Sequence, residues 1–164
     1  MTDDQTTTAR PATITTPTNR EIKIERIFEA PRDRVFAAMT NPELIPQWWG
    51  PRGNTTEVDV MDVKPGGSWR FVSHDCDGNE QAFRGTYREV SPPERIVQTF
   101  EWEGMPGYVS VETATLEDLG DRTKLTTVSI FHTNEERDGM LHSGMERGMN
   151  ETYERLDELL ARPA

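Results

Sequence analysis

The chain of 164 residues has a single cysteine, Cys76, so no disulfide within it can staple a small fold. One unpaired thiol suits a reducing, cytoplasmic setting. No stretch approaches the ~20 apolar residues that a helix needs to cross a bilayer. The segment after Met1 lacks the apolar core of a secretory signal, so neither membrane insertion nor export is expected. Basic residues are scarce: Lys+Arg number 18 against Asp+Glu 29, a formal net charge of -11. Nucleic acid calls for a basic footprint, so it is not an expected partner. The acidic excess reads first as solubility and second as complementarity to a basic protein. Glycine-rich strand-to-helix loops and G-x-S-x-G elbows are missing, which removes the signatures of nucleotide folds and serine hydrolases. His74, Asp75, Cys76 and Asp77 cluster ahead of Gly78, but in no zinc spacing. No metal, no other cofactor and no catalytic set is assigned.

Residues 1–19 are Thr-rich and carry almost no large apolar side chains. They read as a disordered tail before a folded domain over 20–164. In EIKIERIF, Ile22, Ile24 and Phe28 alternate with Glu21, Lys23 and Glu25, the period of a half-buried strand. Pro31 then suits a helix start, with Val35, Phe36 and Met39 at helical spacing. A second short helix runs from Asn41-Pro42 to about Trp48, and Gly50-Pro51 ends it. From Asn54 to His132 the sequence reads as strands punctuated by Pro65-Gly66-Gly67, Asp77-Gly78, Ser91-Pro92-Pro93, Gly104–Gly107 and Gly120-Asp121. With the first strand this makes about seven, antiparallel because the connections are short. Thr133 or Asn134 caps a long final helix whose apolar stripe is Leu141, Met145, Met149, Leu156 and Leu160.

A strand, two short helices, about six more strands and a long amphipathic helix make an α+β helix-grip arrangement. The curved antiparallel sheet wraps on the C-terminal helix, and the concave face leaves room for a cavity. The segments EAPRDRVFAAMTNPELIPQWWGP, KPGGSWRF, SPPERIVQTFEW and SGMERGMNETYERLDELLA resemble the SRPBCC superfamily, also called START-like. Within it they are most similar to the activator of heat-shock-ninety ATPase homologue-like group. The resemblance implies the helix-grip fold. It leaves function open among lipid carriers, receptors, cyclases, dehydratases, oxygenase domains and cochaperone domains.

Nine residues are candidate ligand-binding positions. Trp48 and Trp49 are adjacent at a helix end, so their indoles diverge, one packing inward and one rimming an opening. Trp69 and Phe71 share one strand face. Trp69, Trp102 and Tyr108 offer large apolar bodies with a polar tip. Met145 and Met149 give the long helix an adaptable face, and Gly144 and Gly148, inside the same helix, leave space beside it. Arg26 continues the face of Ile22 and Ile24 and needs a carboxylate such as Glu101, Glu103 or Glu112, or an anionic ligand head.

The expected role is therefore binding of a small hydrophobic or amphipathic molecule in an internal cavity. The alternatives are a cavity enzyme of cyclase or hydrolase type, with Arg26 or His74 polarising a substrate, and a cochaperone-like domain with a protein partner. The separate N-terminal domain of the family's chaperone activators is not seen here, which weighs against the last.

Overall fold

Every stretch that alternates apolar and polar residues after Glu21 is a strand, and each turn signal between them is a turn. The computed structural model describes residues 12–163. The strands are β1 (Thr13–Thr15), β2 (Glu21–Phe28), β3 (Thr55–Met61), β4 (Ser68–His74), β5 (Glu80–Ser91), β6 (Arg95–Trp102), β7 (Val109–Asp118) and β8 (Thr123–Ile130). They form one antiparallel sheet in the order β1-β2-β8-β7-β6-β5-β4-β3. Helix α1 (Arg32–Thr40) and a single 3-10 turn (Ile45–Gln47) follow β2, while α2 (Asn134–Leu141) and α3 (Met145–Leu160) close the chain. This is the helix-grip fold.

Two expectations change. Among the described residues the sheet has eight strands, because Thr13–Thr15 pairs with β2 through Ile14↔Ile24 instead of lying in a free tail. The Ala12 amide also donates to Asn150 Oδ1 at 3.1 Å, fastening this edge strand to α3. The rest of the expected tail, residues 1–11, lies outside the described residues. The long helix is two helices. Gly144 adopts φ +85° at the N-cap of α3, a left-handed conformation that glycine reaches without a Cβ penalty. It is therefore the hinge between α2 and α3 and not an interior helical residue. Thr133 is the cap of α2, its hydroxyl accepting from the Glu136 amide at 3.1 Å.

The sheet curls where its register slips. Bulges fall between Val58 and Val60 in β3 and between Tyr87 and Glu89 in β5, and a bulge bends its strand and increases the twist. Gly85, opposite Trp69, permits a close approach: a Cβ there would sit 1.9 Å from the Thr99 carbonyl oxygen and 2.5 Å from Trp69 Nε1. Two apolar clusters cover the concave face. In one, α1, the 3-10 turn and the C-terminal half of α3 pack Val35, Ile45 and Leu156 against Phe28, Trp69 and Leu116 of the sheet. In the other, Ile22, Ile24 and Phe131 meet Met140, Met145 and Met149.

Candidate functional site

Between sheet and helices lies a cavity of about 530 Å³, in the size range of small-molecule sites. Its walls are mainly apolar: Ile22, Ile24 and Phe100 from the sheet, Phe131 just after β8, and Met140, Met145 and Met149 from the helices. Trp48, Trp49 and Trp69 complete it.

The two adjacent tryptophans diverge as their positions at a helix end require. Trp48 turns inward, and its indole N–H donates to the Ala38 carbonyl at 2.9 Å. Trp49 stays half-buried and meets Phe71 and Phe83 edge-on, ring centres 5.2 Å away in each case. Trp69 is 2 % exposed, and its Nε1 finds no acceptor among the described residues. A buried, unpaired donor is costly, and this one belongs to a cavity-lining side chain.

Four of the nine candidate residues do not line the cavity. Phe71 stands behind it, tilted 4.8 Å from Trp69. Trp102 is 36 % exposed. It shares strand parity with Phe100 but lies at the end of β6, where it pairs across the strands with Phe83 and donates from its Nε1 to Gln81 Oε1 at 2.6 Å without itself lining the cavity. Tyr108 is 53 % exposed, just ahead of β7.

Arg26 is the fourth. It is buried, but its carboxylate partner is none of those expected. Nη1 and Nη2 donate to Asp157 of α3 at 3.0 and 2.6 Å. The guanidinium also lies 4.7 Å from the Phe28 ring centre and 5.8 Å from that of Tyr153. Glu101 and Glu103 pair instead with Arg84 and Arg70. His74 alternates with Ser73 on β4; Ser73 lines the cavity, while His74 faces away to Glu57, its Nε2 2.9 Å from Oε1.

The sheet also carries a polar band that the candidate set omits. Gln98, Glu112 and Ser129 are register partners across β6, β7 and β8, so their side chains project side by side into the cavity. The Ser129 hydroxyl donates to Glu112 Oε2 at 3.5 Å, and the Gln98 side chain also hydrogen-bonds this carboxyl. Glu112 keeps some accessible surface, but that surface is cavity wall. Burial dominates its titration and raises it to about 7, against the opposing effect of the two hydrogen bonds. From α3, Tyr153 closes the band. Burial pushes its hydroxyl up to about 12, partly offset by a hydrogen bond with Thr127.

The loop after Trp49 borders the cavity through Gly50, Pro51 and Asn54. It is latched to α3. Arg155 Nη1 donates to the Gly50 and Pro51 carbonyls at 2.9 and 3.3 Å. The Arg52 amide donates to Glu151 Oε1 at 3.1 Å, and its guanidinium pairs with Glu158. On the same helix, Gly148 lines the cavity, and a Cβ built there meets nothing within 4 Å.

Comparison with known proteins agrees with this architecture. A crystal structure of a Rhodobacter sphaeroides protein has a TM-score of 0.87 at 27% identity, over 93% of this chain and 99% of that one. A solution structure from Arthrobacter aurescens gives 0.84 at 26% identity, over 93% and 92%. One from Staphylococcus epidermidis gives 0.77 at 28% identity, over 90% and 93%. No curated protein matches the chain. The family described as Activator of Hsp90 ATPase homolog 1-like protein matches residues 29–161. With that match over most of its length, on a helix-grip fold, the chain belongs to the Activator of Hsp90 ATPase homolog 1-like family of the SRPBCC superfamily.

Proposed function

We propose that this protein binds one small amphipathic molecule in the cavity between its sheet and α3. The observation that carries the reading is a cavity of about 530 Å³ whose walls are mainly apolar and aromatic but whose sheet side bears a polar band, Gln98–Glu112–Ser129, that includes a carboxyl group. Such a distribution suits a ligand with an apolar body and a polar end. Burial of the body supplies affinity at roughly 25 cal/mol per Å², and the band fixes orientation. Access runs past Trp49 when the loop at Gly50–Asn54 leaves α3.

The compartment that goes with this reading is the cytoplasm, supported by a single free and exposed Cys76. Among the described residues no helix is long and apolar enough to cross a membrane. A second reading, acid–base chemistry on the bound molecule, is favoured by one observation: Glu112 titrates near neutrality inside the cavity.

Native mass spectrometry of the purified protein, set beside its denatured mass, tests the binding reading. The expected result is a retained small molecule, or uptake of one added naphthylethanol per chain. A bare mass with no uptake at saturating naphthylethanol contradicts it.

A further inference from the structure

We infer that the cavity selects amphipathic amines, taking a protonated ammonium head against Glu112 and excluding carboxylates. The inference rests on the binding reading above and adds the chemistry of the ligand's polar end.

Three observations carry it. First, Glu112 is a carboxyl group set in the cavity wall, and its hydrogen-bond partners, Ser129 and Gln98, are neutral. A carboxylate offers about four acceptor sites. The two neutral donors leave room for a ligand's N–H groups, and Ser129 at 3.5 Å is at the limit of a hydrogen bond. Second, of the residues lining the cavity, Glu112 and, on α3, Tyr153 are the titratable ones, while Arg26 on β2 and Asp157 on α3 lie outside the lining. Arg26 is joined to Asp157 by two hydrogen bonds, and Tyr153 stays protonated. Ionised Glu112 therefore favours a cationic ligand, and a ligand carboxylate would meet like charge in a low-dielectric site. Burial already holds Glu112 near 7, and an ammonium placed against it would draw it back down. Third, Trp48, Trp49 and Trp69 line the same cavity. Indole faces attract ammonium groups, and the net charge of -11 draws cations toward the protein before they enter.

The test uses three probes with one apolar body: naphthylethylamine, naphthylethanol and naphthylacetate. Each is titrated into the full chain by calorimetry at about pH 8, where a lysine-like amine is charged. The amine is expected to bind at least ~10-fold tighter than the alcohol, and the carboxylate weakest. Glu112→Gln should collapse the amine-to-alcohol ratio toward unity. So should lowering the wild-type solution to about pH 5, which protonates Glu112 and requires no variant. Alcohol binding with no preference for the amine, or a ratio unmoved by both Glu112→Gln and acid, overturns the amine inference and leaves the cavity reading standing. Failure of all three probes overturns both.

Discussion

The Arg26 guanidinium and the Asp157 carboxylate meet through paired hydrogen bonds of 3.0 and 2.6 Å, joining β2 to α3 across 131 residues of sequence. The Arg26 side chain is 2 % exposed and that of Asp157 25 %. The pair fixes the helix over the sheet and so sets the height of the cavity roof. Removing one partner of a buried ion pair costs about 3–5 kcal/mol. Partial exposure of Asp157 places Asp157→Ala at the lower end, about 3 kcal/mol, read as a fall in the urea midpoint. A change below about 0.5 kcal/mol would show that the pair does not hold α3 in place.

Glu112 makes stability depend on pH in the direction opposite to most carboxylates. Its folded value, about 7, lies above its ordinary 4.5, so between them the folded state binds more protons than the unfolded state. Stability is therefore full below about 4.5, declines as pH rises through that window, and levels off above about 7. Glu112→Gln removes the ionisation. The variant should match wild type near pH 4.5 and exceed it above pH 7 by a few kcal/mol, at roughly 1.4 kcal/mol for each pH unit of the window. Chemical denaturation of both proteins across that range checks it. A gap that narrows as pH rises contradicts the assignment.

Arg155 holds the loop beside the cavity by donating to two backbone carbonyls, those of Gly50 and Pro51. Hydrogen bonds from a charged group are worth about 1.5–3 kcal/mol each. Arg155→Ala should let the loop open more often and raise the association rate of naphthylethanol about tenfold, measured by stopped-flow tryptophan fluorescence. An unchanged rate would place access elsewhere.

Much of the fold was legible because each strand announced itself by alternation and each turn by Gly or Pro. SWRFVSH is β4 to the residue. Three features resisted. Thr13–Thr15 is a three-residue edge strand with one bulky apolar side chain, Ile14, held by its partner strand and by Asn150, neither of which local sequence reveals. The break at Gly144 sits inside an apolar stripe that continues in phase on both sides. The Arg26–Asp157 pair spans nearly the whole domain. Glu112 was within reach: Ser110, Ala114 and Leu116 are buried on one face of β7, and the same period places Glu112 among them. Trp102 and Tyr108 obey that period too, but both lie where the sheet runs out, and parity alone does not reveal where a concave face ends.

The central claim is that the cavity itself is the binding site, and Gly148 offers the most direct test. A side chain added there enters space free of protein atoms within 4 Å of its Cβ, on a helix whose backbone needs no rearrangement. Gly148→Phe should fold with unchanged circular dichroism and fill part of the cavity. Titration of wild type and variant with naphthylethanol, followed by calorimetry, is the measurement. The account predicts saturable binding of one molecule per chain in wild type and at least ~10-fold weaker binding in folded Gly148→Phe. Equal binding by the two proteins would contradict it.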